Sequence, residues 1–386
     1  MTAMRTGAFV AASLLLGAVS ARADAALKPY GFVRFDAILN DSPMNHPQFP
    51  MWVNSEIDLE DGPSGVAKDK GEISFHPRLT RVGVDLVKTT IGESASIAGK
   101  IEIDFQNGGR ESRETPRMRH GYLTITNGTF EVLAGQTWDL VSPLYPYVNH
   151  DGLMWNAGNT GDRRPQVRFT STRPAGEGKM RVAAAFGMPN AVDGQDLDGN
   201  GVLDGAYAMV PSTQGLLEFS SSKITFGVWG EFHRERLVAT DSSSVSENDY
   251  DAMLFGAHLK APLGSQLTLV AEAFSGKNAD DLRGGIGQGL NLGLDREIAT
   301  QGGFAELQFQ ANPNWTFAAG ATLDDPDDDD LSNGGRALNQ VIYGAARLKT
   351  LERVQVGLEY LHWKTEYKNA ADGDANRIDL WASLGF

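Results

Sequence analysis

The last eleven residues of the chain, Asn376-Arg377-Ile378-Asp379-Leu380-Trp381-Ala382-Ser383-Leu384-Gly385-Phe386, alternate between apolar side chains and mostly polar or small ones. Successive side chains of a β-strand point to opposite faces, so this stretch predicts a strand with one apolar face. That face carries Ile378, Leu380, Ala382, Leu384 and Phe386. Such a strand is typical of a soluble sheet with one buried face, or of a transmembrane barrel with a lipid-facing and a water-facing row.

The same period of two recurs along the chain, and no helical period of comparable length accompanies it. Further alternating rows lie at 97–105, 228–232, 253–259, 305–309 and 315–321. The chain contains no cysteine, which excludes a disulfide framework and thiolate metal sites. The fold must therefore be held by means other than disulfides.

The connectors between these strands alternate between a short and a long class. Short turns lie near 91–92, 127–128, 175–176, 220–222, 263–264, 312–314 and 350–352. Long polar connectors lie near 40–72, 106–115, 139–163, 189–206, 237–248, 276–299, 325–338 and 366–375. Seven short turns and eight long loops join sixteen strands, an even number with both ends on the short-turn side, as bacterial outer-membrane barrels require.

We therefore predict an all-β fold, a closed antiparallel transmembrane β-barrel of 16 strands with short periplasmic turns and long outer loops. The ring must close because each unpaired edge group in hydrocarbon costs several kcal/mol. Sixteen strands also make a ring wide enough for an aqueous channel. A soluble periplasmic β-sandwich is the alternative, but it explains neither the alternation of loop lengths nor the terminal aromatic residue.

The first residues form a three-part secretory signal. A short positive region, 1–5, precedes an apolar run, 8–19, and the small-x-small sequence Ala21-Arg22-Ala23. The apolar run is too short for a membrane span. We predict that 1–23 is a signal peptide that is removed, and that 24–386 is a single barrel. The alternating final strand that ends in Phe386 resembles the signal read by the outer-membrane barrel assembly machinery, so we expect the bacterial outer membrane as its location.

The third long connector, 139–163, is predicted to fold into the lumen and narrow it. It follows the strand that ends in Trp138 and is rich in aromatic and acidic side chains, among them Asp139, Tyr145, Tyr147, Asp151 and Trp155. The alternative is a loop that faces outward into solvent.

Basic residues are predicted to line the pore on the wall opposite that loop. Arg117 and Arg119 share a strand face, and Arg163, Arg164 and Arg168 open the strand that follows the loop. The other basic residues on predicted lumen rows are Arg34, Arg81 and Lys100. Arg and Lys rings favour anions. The alternative is that they pair with Asp36, Asp85, Glu102 and Asp104 and leave no net field.

The chain resembles the DcaP-like family of trimeric outer-membrane porins. The resemblance lies in the segments YGFVRFDA (30–37), RMRHGY (117–122) and LAGQTW (133–138), and in the terminal Phe386. It implies a sixteen-stranded homotrimer that passes small anionic solutes such as dicarboxylates, with Arg34, Arg117 and Arg119 lining the pore. Lipid, lipopolysaccharide and the assembly machinery are then its partners, and we expect no nucleic acid.

A second candidate site is the sequence DLDGNGVLD at 196–204, which places carboxylate and amide oxygens at alternate positions around a glycine. Such oxygens can converge on a hard cation, so Asp196, Asp198, Asn200 and Asp204 predict a Ca²⁺ site in the 193–204 loop. The twelfth position of the corresponding pattern is Tyr207 rather than Glu. A flexible Asp/Gly loop tip is the alternative, and no cofactor is required for transport.

The sequence thus predicts a porin for passive diffusion of small hydrophilic solutes, favouring anions. A sugar-specific channel is the alternative, since Trp229, Trp363 and Trp381 fall on predicted lumen rows. A barrel enzyme is less favoured because the chain has no H-E-x-x-H, G-x-S-x-G or P-loop sequence.

Overall fold

The computed structural model describes residues 26–57, 66–67, 71–92, 94–106, 113–148, 153–238 and 247–386. The predicted signal peptide lies outside them. Within the described residues the strands are β1 (Leu27–Asn40), β2 (Glu56–Ile57), β3 (Val66–Ala67), β4 (Glu72–His76), β5 (Arg81–Ile91), β6 (Ala95–Asp104), β7 (Arg117–Asn127), β8 (Phe130–Trp138), β9 (Arg163–Ala175), β10 (Gly178–Gly187), β11 (Ser212–Ser220), β12 (Thr225–Leu237), β13 (Asn248–Pro262), β14 (Leu267–Lys277), β15 (Leu290–Asn291), β16 (Arg296–Glu297), β17 (Ala299–Gln310), β18 (Trp315–Pro326), β19 (Arg336–Leu351), β20 (Val354–Tyr367) and β21 (Gly373–Gly385).

Apart from the two short pairs β2–β3 and β15–β16, the strands form one closed antiparallel sheet. The final strand β21 pairs with β1 from Phe32 opposite Gly385 to Asn40 opposite Arg377, which closes the ring. On its other edge β1 pairs with both β4 and β5. These two segments are therefore halves of one barrel strand, and the described ring has sixteen strands, as predicted.

The break between β4 and β5 has a local cause. Pro77 lies in the middle of what would be a continuous strand, and proline has no backbone N–H for the ladder. The Thr80 side chain bridges the gap: its Oγ1 accepts from the Arg34 N–H at 3.0 Å and donates to the Arg34 carbonyl at 3.2 Å. A side-chain hydroxyl thus substitutes for the missing ladder bonds.

The period of two separates an apolar exterior from a polar interior. On β19, Ile342 is 64 % exposed on the outside, whereas Val341 and Tyr343 are buried on the inside. On β21, Ile378, Leu380 and Leu384 face outward as predicted, while Arg377, Asp379 and Trp381 are buried inside. The outward row suits hydrocarbon, and the inward row suits water and loops.

The packed core lies inside the barrel, beneath loops that fold inward. One cluster joins Met44 and Val53 of the first long loop, 41–71, to Val148 of the third and to Tyr343 and Trp363 of the wall. A smaller cluster packs Phe49 and Met51 against Trp155. Two loops therefore fill part of the lumen with apolar side chains.

Helices contribute little to the described part of the chain. The only α-helix there, α1 (Asp204–Ala208), has five residues and lies in the fourth long loop. No helix among the described residues is long and apolar enough to cross a bilayer.

Candidate functional site: the lumen and its third loop

The third loop, residues 139–162, crosses the inside of the barrel. Its backbone N–H groups donate in turn to side chains of three wall strands: Leu140 to Gln214 Oε1 on β11 at 2.7 Å, Leu144 to Glu272 Oε1 on β14 at 2.6 Å, and Tyr147 to Glu306 Oε2 on β17 at 2.8 Å. The loop therefore follows the β11–β17 wall and narrows the passage from that side. The prediction that the third loop folds into the lumen is confirmed.

The returning half of the loop is equally fixed. Trp155 is fully buried, and the Gly161 N–H donates to the Leu282 carbonyl at 2.7 Å. Gly158 has a φ of +108°, and a Cβ there would lie 2.3 Å from the Gly303 carbonyl oxygen. The close approach of this backbone to β17 requires glycine.

The predicted loop residues occupy distinct positions. Tyr145 packs on Trp138 with ring centroids 5.1 Å apart, and burial raises the pKa of its hydroxyl, with the Glu272 carboxylate acting in the same direction. The Tyr147 ring lies under the guanidinium of Arg347, 3.6 Å from its Cζ. Asp151 lies outside the described residues.

Asp139 anchors the start of the loop instead of facing the passage. Its Oδ1 accepts from Arg164 Nε and from Gln214 Nε2, each at 2.7 Å. Arg164 also donates to Asp281 Oδ2 at 2.7 Å, and neither partner of that pair has any exposed side-chain surface. The prediction that Arg164 lines the pore is therefore wrong, because its guanidinium is enclosed by the third, fourth and sixth loops.

Most of the other predicted basic residues form ion pairs with the acids that the alternative interpretation named. The pairs are Arg34 with Asp36, Lys100 with Asp85 at 3.1 Å, Arg117 with Asp104 at 2.8 Å, and Arg119 with Glu102 and Asp104 at 2.8 Å. Arg81 lies 3.5 Å from Glu102, and Arg163 lies 3.3 Å from Asp162. The wall formed by β1 and β5–β9 is thus a network of paired charges rather than a row of isolated cations.

These side chains differ in their contact with solvent. Arg117 keeps 32 % of its side chain exposed and Lys100 keeps 27 %, whereas Arg34 and Arg119 are almost wholly buried. Arg117 and Lys100, which lie on the inward face, therefore border water in the lumen. Arg34 and Arg119 have almost no contact with solvent.

Arg168 and Arg347 are inward-facing arginines that form no ion pair among the described residues. Arg168 on β9 donates from Nε to Gln166 Oε1 at 3.1 Å and also donates to the Trp138 carbonyl, both neutral acceptors. Arg347 on β19 lies over the Tyr147 ring, and its Nε has no hydrogen-bond partner there. Sequence reasoning missed Arg347, although the buried row of Val341, Tyr343 and Ala345 on the same strand face would have placed it in the lumen.

The predicted Ca²⁺ loop is held in a compact turn. Asp196 accepts from the N–H groups of Asn200 and Gly201, at 3.0 and 2.9 Å, and Asp198 Oδ2 accepts from the Val238 N–H at 2.7 Å. One carboxylate oxygen from each of Asp196, Asp198 and Asp204 lies within 4.8 Å of the others. Asn200 lies in the same turn, where its Oδ1 accepts from the Val202 N–H at 2.8 Å.

Comparison with solved structures identifies the class of fold. The chain superposes on the outer membrane channel DcaP of Acinetobacter baumannii with a TM-score of 0.74 and 19 % identity, over 96 % of this chain and all of that one. An anion-selective porin from Comamonas acidovorans gives a TM-score of 0.62 at 10 % identity, over 94 % of this chain and 100 % of the porin. OmpF of Salmonella typhi gives a TM-score of 0.59 at 12 % identity, over 94 % of this chain and 98 % of OmpF.

These likenesses show the outer-membrane channel fold, and they confirm the resemblance to DcaP-like porins at the level of the fold. No family model matches the sequence. No curated protein matches it either.

Proposed function

We propose that this chain is a bacterial outer-membrane porin through which small hydrophilic solutes diffuse passively. The observation that carries the proposal is a closed sixteen-stranded ring with an apolar exterior, whose inward face carries partly exposed charged side chains such as Arg117 and Lys100. The third loop crosses the inside of this ring. A ring of this size does not fill with side chains alone. A loop attached to one wall narrows such a channel and leaves the opposite wall accessible.

An anion preference is the finer part of this proposal. Ion pairs on the wall of β1 and β5–β9 reduce the electrostatic field of the predicted basic residues. Selectivity for anions then depends on basic side chains that have no carboxylate in contact with them. Arg168 and Arg347 fit that description. Arginine is suited to carboxylate solutes because its planar fork can bind both oxygens at once.

A sugar-specific channel is less well supported. Trp229, Trp363 and Trp381 lie on the inward face, but all three are buried beneath neighbouring side chains and loops. A sugar pathway needs exposed aromatic faces along the lumen. An enzyme is also less well supported, and labelling of the purified barrel by a serine-directed covalent probe would favour it.

The expected partners follow from the same proposal. The exposed apolar exterior suits outer-membrane lipid and lipopolysaccharide, and the alternating strand that ends in Phe386 suits recognition by the barrel assembly machinery. A homotrimer is proposed from the resemblance to DcaP-like porins. Its test is the mass of the detergent-solubilised assembly.

The Ca²⁺ site at Asp196, Asp198 and Asp204 is a further proposal. It is supported by the convergence of the three carboxylates and by Asp204 Oδ1, a buried oxygen with no hydrogen-bond partner among the described residues. Burial, followed by the nearby Glu235, Asp198 and Asp196 carboxylates, raises the pKa of Asp204 to about 7. A bound cation would supply the missing positive charge.

The test of the transport function is the reversal potential of the purified protein in a planar bilayer under a salt gradient. Stable current steps with anion preference are expected. Cation preference would leave the porin function standing and contradict the anion preference. A protein that inserts but never conducts would contradict the porin function itself.

A further inference from the structure

A second carboxylate cluster lies where two outer loops meet the end of a barrel strand. Asp193 belongs to the fourth loop, 188–211, Glu235 to the end of β12, and Asp280 to the sixth loop, 278–298. One carboxylate oxygen from each lies within 4.8 Å of the other two, and Glu235 and Asp280 are buried. No sequence pattern joins these positions, so only the folded chain shows the cluster.

Two buried oxygens in this cluster have no hydrogen-bond partner among the described residues. They are Asn278 Oδ1 and Asp280 Oδ1, in residues that are 1 % and 5 % exposed. A Cβ built on Gly289 would lie 2.1 Å from each of them, so the two oxygens lie within twice that distance of each other. Two unsatisfied acceptors so close together lack a positive partner between them.

Amides rather than cations surround the three carboxylates. Asn190 Nδ2 donates to Glu235 Oε1 at 2.7 Å, Asn278 Nδ2 donates to Glu235 Oε2 at 3.0 Å, and Gln195 donates to Asp280. Among the described residues, the cluster forms one ion pair, with His233, whose Nε2 lies 3.6 Å from Glu235 Oε1. Arg164 meets the neighbouring Asp281 instead. One imidazole cannot balance three carboxylates, so the cluster has a deficit of positive charge.

We propose that Asp193, Glu235 and Asp280, with the side-chain carbonyl of Asn278, form a binding site for a hard divalent cation of the Ca²⁺ class. All four ligands are oxygen donors, which such cations prefer. Oxygens that surround one Ca²⁺ at its usual distance of about 2.3–2.6 Å are separated by up to roughly twice that distance, which matches the cluster.

The site also has a route to solvent. A cleft of about 300 Å³ between the fourth, sixth and seventh loops is lined by Gln195, Asp280 and Gly289. It can admit the cation and the water molecules that would complete six to eight ligands.

A cation here joins the fourth loop and the barrel wall to the sixth loop, which in turn holds the third. The Leu282 and Arg283 carbonyls accept from the N–H groups of Gly161 and Asn156, at 2.7 and 2.8 Å. The metal therefore stiffens the segment that positions the narrowing loop. This inference does not depend on the proposed transport function, because metal content is measured without any current.

The test separates this site from the Asp196–Asp204 loop. In the Asp196→Asn variant, which weakens the loop site, folded protein in detergent is equilibrated with Ca²⁺ and the bound metal is measured by mass spectrometry of the eluted ions. One tightly bound Ca²⁺ per chain is expected. In the double variant Asp196→Asn/Asp280→Asn, binding at least tenfold weaker is expected, because the second substitution removes a charge but keeps the shape of the side chain.

Absence of bound Ca²⁺ in Asp196→Asn would overturn the proposal, as would equal binding in the single and double variants. If Asp280→Asn prevents folding, Glu235→Gln takes its place in the same comparison. A chelator should also lower the unfolding temperature of Asp196→Asn and leave that of the double variant unchanged. An equal shift in both variants would again overturn it.

Discussion

Arg164 on β9 and Asp281 in the sixth loop, 117 residues apart in the chain, form an ion pair of 2.7 Å with no exposed side-chain surface on either partner. The same guanidinium holds Asp139 at the start of the third loop and donates to the Met188 carbonyl at the start of the fourth. One side chain thus joins three loops to the barrel wall. Because Arg164 is buried, we expect it to hold the third loop in position within the lumen and not to contact a solute.

Replacing Arg164 by Leu should therefore destabilise the protein and release the third loop. The substitution leaves Asp139 and Asp281 buried without their partner, which costs about 3–5 kcal/mol for a buried pair broken from one side. Denaturant unfolding of the refolded barrel measures the loss, and single-channel recording should show larger current fluctuations. The control is Lys223→Gln, which breaks an exposed pair with Glu177 and should change neither quantity. Equal behaviour of the two variants would refute this role of Arg164.

Replacing Arg347 by Gln should lower the preference for anions. Arg347 faces the lumen over Tyr147 and has no ion-pair partner among the described residues. We therefore expect its full positive charge to act on a passing solute, because no carboxylate in contact with it reduces that charge. The reversal potential in a salt gradient should move toward zero. Arg347→Lys keeps the charge and should retain most of the selectivity.

Arg168→Gln should act in the same direction, because the present partners of Arg168 are neutral oxygens. The matched comparison is Arg117→Gln, which removes a charge that is already paired with Asp104. Asp104 keeps its ion pair with Arg119, so this variant lowers the net charge of the wall by one, as Arg168→Gln does, and should shift the reversal potential toward cations to a similar extent. Unchanged reversal potentials in both variants would show that this wall does not set selectivity.

Replacing Gly158 by Ala should displace the third loop from β17 and β18. A Cβ there would lie 2.3 Å from the Gly303 carbonyl oxygen and 2.7 Å from the Leu323 N atom, so the backbone must move. Unitary conductance should change and the unfolding temperature should fall. The control is Gly334→Ala, which also has a positive φ but has nothing within 4 Å of the added carbon. It should cost only the left-handed strain of about 1–2 kcal/mol and leave the conductance as it was.

Asp162, in the third loop, should stabilise the fold down to unusually acidic pH. Burial alone would raise the pKa of its carboxyl, but the Arg283 and Arg163 guanidiniums outweigh it and hold the pKa below the usual range. When the pKa of a carboxyl is lower in the folded than in the unfolded state, its full stabilisation is present at pH values above the unfolded pKa, which is about 3.9 for Asp. This stabilisation is lost as the pH falls from there through the folded pKa. The difference in unfolding free energy between the wild type and Asp162→Asn should be constant near neutral pH and shrink below about pH 4. A difference that grows on acidification would contradict the assignment.

The sequence by itself determined the architecture. Alternation is a property of each strand, and turn chemistry is a property of two or three residues, so Asn127-Gly128 and the final strand could be interpreted locally. The even strand count and the order of short and long connectors followed from these local signals. The interruption at Pro77 did not alter the count, because both halves of that strand pair with β1.

Only the tertiary structure decided the chemistry of the interior. Whether Arg117 faces open water or Asp104 depends on the register between β6 and β7, which the sequence pattern leaves free. Three features of the interior join residues that are far apart in the chain. Glu306 accepts a hydrogen bond from the Tyr147 backbone, and Arg164 is enclosed by loops. The third feature is the cluster of Asp193, Glu235 and Asp280. The alternation of apolar and polar residues predicts on which face of the sheet a side chain lies. The partners of that side chain across the lumen are determined only when the ring closes and the loops fold inward.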